Sequence, residues 1–219
     1  MEANVQKLLE EYHARAKAEF AGMEKLSREE MARRIDEFLI PVGPDTGALL
    51  HSLARSLEAK CVVEIGASYG YSAIWLADAV RQTGGKVHSF ELSTSKIEYA
   101  TAKLRSVGLH EFVEFHTGDA VQLLQQFDAR CDLVLIDCWK NLYEPCFELI
   151  YPKLAPQGVV VADNMLFPVE TRPEALSYQK LVRSKRDMES VLLPIGSGID
   201  VSRRRSAESW TVGAGVRTT

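Results

Sequence analysis

Hydrophobic residues fall into two rhythms along this chain, one helical and one extended, and the two trade places repeatedly. Over the first 37 residues Val5, Leu8, Leu9 and Tyr12 share one stripe with charges elsewhere, which predicts a helix. Pro41, Gly43 and Pro44 interrupt it, and Leu49, Leu50, Leu53 and Leu57 mark a second helix. From Lys60 onward strand and helix alternate. Cys61 to Ile65 is a short apolar run ending at Gly66 and reads as a buried strand. Ser72 to Val80 reads as helix, and Lys86 to Phe90 as the second strand. Ser93 looks like the N-cap of a helix whose stripe is Ile97, Ala100, Leu104 and Val107, stopped by Gly108. Phe112 to Phe115 is the third strand, and Ala120, Leu123, Leu124 and Phe127 mark another helix. Leu133 to Ile136 is uniformly apolar, as a strand covered on both faces should be. Leu142 to Leu154 reads as helix, and Pro156 and Gly158 turn the chain into the fifth strand, Val159 to Val161.

Five strands alternating with helices imply an α/β fold whose parallel sheet is built from right-handed crossovers. The end of the chain differs. Val191 to Pro194 and Ile199 to Ser202 flank Ile195-Gly196-Ser197-Gly198, the pattern of a hairpin, so the last strand is expected to run antiparallel. The expected organisation is a helical segment over 1–38, a main domain over 39–205 and a tail over 206–219 without clear periodicity. The amphipathic N-terminal helix and the tail are both candidates to form a homodimer, or to cover the sheet.

Composition narrows the function classes. With 219 residues, 46% hydrophobic and 26% charged, the chain matches ordinary globular usage and not a disordered one. Its 26 basic and 30 acidic residues give a net charge of −4, which argues against a nucleic-acid binder relying on a general basic field. No apolar run approaches the ~18 residues of a membrane span. The first twenty residues carry acids and lack the apolar core of a secretory signal. Cys61, Cys131, Cys138 and Cys146 form no C-x-x-C pair, so reduced thiols and a cytoplasmic location are expected.

In an open α/β sheet, ligands bind beyond the carboxyl ends of the strands. Acids end nearly every strand here: Glu64 in the first, Glu91 after the second, Asp119 after the third, Asp137 after the fourth and Asp163 after the fifth. The first loop reads E-x-G-x-x-x-G from Glu64 to Gly70, not the G-x-G-x-x-G that cradles a dinucleotide diphosphate. Glu91 ends the next strand, where a carboxylate can accept both hydroxyls of a ribose. Together they suggest a nucleoside ligand without phosphates, and S-adenosylmethionine fits. The lesser alternative for the loop taken alone is a glycine turn that merely permits tight strand–helix packing.

Asp137, Asp163 and Asn164 offer only oxygen donors, the chemistry of a hard cation such as Mg²⁺. Adjacent parallel strands lie ~4.8 Å apart, so neighbouring strand ends can reach one ion at ~2.1 Å. Read singly, Asp163-Asn164 is a polar turn and Asp137 a helix cap. Lys140 beside such a cation would have its charged form disfavoured and could serve as a base; read alone it is a solvated charge. Trp139 is either a core residue or an aromatic wall for a planar substrate. His13, His51, His88, His110 and His116 show no ligand spacing, so none is assigned to metal or catalysis. Cys138 reads as a small wall residue, and Arg203-Arg204-Arg205 as a solvated strand end.

These residues resemble a known family. From about Ile40 to about Ile199 the chain is similar to class I S-adenosylmethionine-dependent O-methyltransferases, and among them to the cation-dependent catechol O-methyltransferase family. The resemblance is carried by EIGASYGYS (Glu64 to Ser72), DCWKNLY (Asp137 to Tyr143), ADN (Ala162 to Asn164), and the loop Pro41 to Gly47. It implies a Rossmann-like sheet of seven strands in the order 3-2-1-4-5-7-6, strand seven antiparallel, with helices on both faces. By that similarity Val42, Glu64, Gly66, Tyr71 and Ser72 would line the methionine end of the cofactor, with Asp137 beside it. Glu91 would bind the ribose, and Asp119 and Ala120 would flank the adenine. Asp137, Asp163 and Asn164 would hold Mg²⁺, Lys140 would be the general base, and Trp139, Lys140 and Asn164 would face a catechol-type small molecule. Two positions depart from the family: Cys138 stands where the mammalian enzymes carry His, and Val191 occupies the segment where they carry an acid toward the second catechol hydroxyl.

The resemblance thus implies a magnesium-dependent catechol O-methyltransferase acting by in-line transfer. Two alternatives compete: a relative that methylates a carboxylated wobble uridine in tRNA, and a cofactor-binding regulator without catalysis. The net charge opposes the first. The presence of Asp137, Lys140, Asp163 and Asn164 together opposes the second.

Overall fold

A computed structural model describes residues 1–205. The tail over 206–219, expected to be disordered, to dock on a partner chain or to cover the sheet, lies outside the described residues.

The extended segments are β1 (Cys61–Ile65), β2 (Lys86–Glu91), β3 (Val113–Thr117), β4 (Cys131–Ile136), β5 (Leu154–Ala162), β6 (Met188–Leu193) and β7 (Ile199–Arg204). They form one sheet in the order β3-β2-β1-β4-β5-β7-β6. The first five pair in parallel, and β7 runs antiparallel to both β5 and β6. Order and direction agree with the expectation.

The central strands are apolar on both faces because both faces are covered. Val62, Leu133, Leu135 and Val161 point to one side, where they meet helices α1 (Ala3–Met23), α3 (Pro44–Ser56), α4 (Tyr71–Thr83) and α5 (Thr94–Ser106). Val63, Ile65, Val134, Ile136 and Val160 point to the other. There they meet α6 (Ala120–Gln126), α7 (Tyr143–Ile150) and α8 (Arg172–Ser184) through Leu124, Phe147, Ile150, Tyr178 and Val182. A side chain at Gly47 would collide with the Trp75 indole, so this glycine sets how closely α3 approaches α4.

Two elements differ from expectation. The N-terminal segment is not one helix: α1 ends at Met23 and α2 runs Arg28–Arg34. Ser27 starts α2 through a capping box, its hydroxyl accepting from the Glu30 amide at 3.2 Å while the Glu30 carboxylate accepts from the Ser27 amide at 3.0 Å. That S-x-x-E signal is visible in the sequence and overrides the continuous apolar stripe. The helix expected to reach Leu154 instead ends at Ile150. A 3₁₀ turn containing Pro152 follows, and Leu154 already pairs with Cys131. The Pro156–Gly158 turn is real but lies inside β5, where the register jumps from Cys131–Leu154 to Leu133–Val159.

Helix α1 is bound into the core. Val5, Leu8, Leu9 and Tyr12 are buried on the α4 side, and the Tyr12 hydroxyl donates to the Tyr69 carbonyl at 2.7 Å. Among the described residues no helix is long and apolar enough to cross a membrane.

Candidate active site

The carboxyl ends of β1, β4 and β5 come to one edge, and the hydrogen-bond ladder runs one residue past each strand. Gly66 donates to the Phe90 carbonyl at 2.9 Å, Asp137 to Ile65 at 2.9 Å and Asp163 to Ile136 at 3.0 Å. Residues from different parts of the chain therefore stand in one row. Gly66 has φ +98°, and a Cβ there would lie 2.0 Å from the Asp137 carbonyl oxygen. Only glycine lets the first loop cross so close to the tip of β4. A cleft at this crossing is lined by Val42, Gly66, Ser68, Tyr71, Ser72 and Asp137. Five of the expected cofactor residues thus meet there. Helix α1 contacts this lining through His13, whose Nε2 shares a 2.7 Å hydrogen bond with the Tyr71 hydroxyl.

The other expected cofactor residues flank this cleft. Glu64 is fully buried in β1. Its carboxylate accepts from the Ser89 hydroxyl, and its Oε1 has no partner. Burial pushes its carboxyl up to about 7, against the opposing hydrogen bonds of Ser72 and Ser89. Glu91 accepts from the Ser68 amide at 2.7 Å and the Ser93 amide at 2.9 Å, tying the first loop to the start of α5. Asp119 caps α6 by accepting from the Gln122 amide at 2.9 Å, and Ala120 begins that helix half-buried.

Ile136 pairs directly with Ala162 across β4 and β5, so Asp137 and Asp163 follow at adjacent strand tips. Asp163 is 1% exposed and its Oδ1 lacks a partner. Burial, then the neighbouring Asp163, hold the Asp137 carboxyl well above its ordinary range. Burial pushes Asp163 up to about 6, opposed by the Asn164 amide and by Lys140. Asn164 adopts a left-handed φ of +53°, which asparagine tolerates better than most residues. Two crowded carboxylates with an unpartnered buried oxygen, next to an amide side chain, suit a hard divalent cation.

Lys140 donates to the Asp163 carbonyl at 2.7 Å and lies 3.6 Å over the Tyr143 ring. Burial brings its ammonium down to about 8, while Asp137, Asp163 and Cys138 oppose the fall. No neighbouring cation is needed for this fall; desolvation alone produces it. Lys140 is therefore not a freely solvated charge. Trp139 is 59% exposed, which removes its reading as a core residue. The Cys138 thiol is held well up by a hydrogen bond with Cys146 and by burial, consistent with a wall residue. Beyond Lys140 a second cleft is lined by Glu144, Pro145, Pro173, Glu174 and Ser177.

Some contacts were not legible beforehand. Tyr143 donates its hydroxyl to the Asp163 carbonyl at 2.9 Å, so that carbonyl accepts from both Tyr143 and Lys140. The three-residue spacing on the β4–α7 turn was the available signal. The buried acid near the end of the chain is Asp200, and its oxygens are taken by Gln179, Ser190 and Ser202. Val191 stands half-exposed on β6. Histidines expected to form no cluster do form one: His88, Glu114 and His116 come together across β2 and β3. Strand register, which the spacing does not reveal, is the reason.

Residues 63–165 match the family described as a methyltransferase domain. The catechol O-methyltransferase of Niastella koreensis is 30% identical over 131 residues, 58% of this chain and 59% of that protein. The chain therefore spans about three fifths of that relative's length. Caffeoyl-CoA O-methyltransferase 2 of Populus trichocarpa is 25% identical over 187 residues, 76% of this chain and 75% of its own. The crystal structure of the O-methyltransferase TomG from Streptomyces achromogenes, in complex with SAM, superposes with a TM-score of 0.74. It covers 94% of this chain and 91% of that one at 23% identity, which speaks to the fold. Sheet order, matched core and relatives agree: the chain has the seven-stranded methyltransferase fold, carries a methyltransferase-domain match over residues 63–165, and is similar to O-methyltransferases of the catechol and caffeoyl-CoA type.

Proposed function

We propose that this protein transfers a methyl group from S-adenosylmethionine to one hydroxyl of a small catechol-type acceptor, with Mg²⁺ held by Asp137, Asp163 and Asn164. The observation that carries the reading is the half-buried Lys140, hydrogen-bonded to the Asp163 backbone where two crowded carboxylates leave an oxygen unpartnered.

When bound, the sulfonium cofactor supplies an activated methyl and the cation supplies positive charge beside a phenol whose own pKa is ~10. The chain's residues do the rest. Lys140, with its ammonium near 8, takes the phenolic proton at Nζ and keeps its place through the Asp163 carbonyl and the Tyr143 ring. Glu64 offers an unpartnered carboxylate oxygen to a cationic amino group. Glu91 retains acceptor capacity for ribose hydroxyls beyond its two backbone amides. Gly66 allows the cofactor loop to lie against the metal strand, and such alignment can contribute ~7–11 kcal/mol to a two-substrate reaction.

The acceptor cleft favours a small molecule over a polyanion. Glu144 and Glu174 line it beside Lys140, and two carboxylates there repel the phosphates of a coenzyme A ester or a tRNA. The test is a methyl-transfer screen with labelled cofactor over simple catechols, caffeoyl-CoA and tRNA, each with Mg²⁺ or with excess EDTA. Transfer to catechols that stops in EDTA is expected. Undiminished turnover in EDTA refutes the metal role, and transfer to caffeoyl-CoA or tRNA alone refutes the acceptor class.

A further inference from the structure

We propose that His88, Glu114 and His116 form a separate metal site, for a borderline divalent transition ion of the Zn²⁺ type, bridging β2 and β3. It shares no residue with the oxygen-donor edge at Asp137 and Asp163.

Strand register builds the cluster. His88 pairs directly with Glu114, and Phe90 with His116, so both histidines and the glutamate project from one face of two adjacent strands. His88 Nδ1 lies 3.2 Å from His116 Nε2. Glu114 places one carboxylate oxygen 3.7 Å from that His88 nitrogen and the other 3.9 Å from that His116 nitrogen. Tetrahedral ligands at ~2.1 Å from a zinc ion stand about 3.4 Å from one another. The observed separations bracket that value, so an ion requires movements of only a few tenths of an ångström, within the freedom of a half-exposed Glu114.

The rings are already oriented. His116 stacks on Phe90 with centroids 4.6 Å apart and planes 15° apart, and His88 packs against Phe127 at 5.0 Å. Two aromatic walls and two paired strands hold the nitrogens in place, which lowers the entropic cost of closing a site. Two imidazoles and one carboxylate select Zn²⁺-like ions over Mg²⁺, which prefers all-oxygen ligands. The side chains of His88, His116 and Glu114 are 19%, 25% and 52% exposed, leaving a route for the ion and a fourth position for water.

The test uses the full chain in excess Mg²⁺, which occupies oxygen-donor positions. Zn²⁺ is titrated against a chromogenic chelator, and Co²⁺ loading is followed by visible absorption. One Zn²⁺ per chain is expected, with affinity falling at least tenfold in His88→Gln, His116→Gln and Glu114→Gln and unchanged in Asp163→Asn. The wild-type Co²⁺ spectrum should show the intense bands of a four-coordinate ion, absent from His116→Gln. Thermal unfolding in EDTA checks that the variants fold. Equal Zn²⁺ affinity in wild type and the histidine variants overturns the site, as does a pale, six-coordinate Co²⁺ spectrum in the wild type.

Discussion

Glu64 is the most exacting single residue to test, because its carboxyl lies wholly inside the sheet, 0% exposed. Burial raises it from an ordinary 4.5 to about 7. The native state therefore keeps a proton over a range where the unfolded chain has released it. Stability linked to this group is present at low pH and is lost as the pH rises from 4.5 toward 7. The full separation corresponds to about 3 kcal/mol, most of which develops between pH 5 and pH 8. Glu64→Gln keeps the shape and removes the titration. Urea unfolding of cofactor-free wild type and variant at both pH values isolates the effect as a difference of differences. The stability of wild type relative to Glu64→Gln should fall by about 2–3 kcal/mol on going from pH 5 to pH 8. Parallel pH profiles would refute the argument, since they would mean that water or a cation already compensates the carboxylate. If an ammonium group binds at Oε1, S-adenosylhomocysteine should stabilise the wild type more at pH 8 than at pH 5.

Three further outcomes follow from the same structure. Gly66→Ala should cost at least ~2 kcal/mol in thermal or urea unfolding, because it adds backbone strain at φ +98° to a collision with the Asp137 carbonyl. A variant as stable as wild type would mean that the loop and β4 separate freely. Ser27→Ala should cost about 1 kcal/mol by removing the capping box of α2 while leaving methyl transfer unchanged; an equally stable variant would show that α2 contributes little to folding. Lys140→Ala should lower kcat ~10²- to 10⁴-fold in the methyl-transfer assay with little change in cofactor Kd, and equal losses in both would count against the proposal that it is the base.

The sheet's central strands were legible because their signal is local. A strand covered on both faces reads as a near-continuous apolar run, as Leu133–Ile136 does and as Cys61–Ile65 does apart from Glu64. Ser93 likewise declares its helix through a hydrogen bond to the amide of Lys96, three residues away. Where two local signals compete, as the apolar stripe and the Ser27–Glu30 box do within the first 37 residues, the stripe alone misleads. Hydrophobic periodicity reports which face is buried, not whether the backbone continues.

Residue types and strand ends were sufficient to nominate Glu64, Glu91, Asp137, Lys140, Asp163 and Asn164, since a parallel sheet sends the carboxyl ends of its strands to one edge. Tertiary structure alone decided which of them meet. Asp137 and Asp163 become neighbours through the pairing of Ile136 with Ala162, and Gly66 reaches Asp137 because its missing side chain opens the crossing. His88 and His116 are 28 residues apart and carry no spacing motif, yet register across β2 and β3 brings their nitrogens to 3.2 Å. Burial is likewise a property of the assembled layers, and it moves the Lys140 ammonium and the Glu64 carboxyl toward neutral pH. Composition and periodicity are written along the chain, whereas register, desolvation and contact between distant residues exist only once the strands have paired.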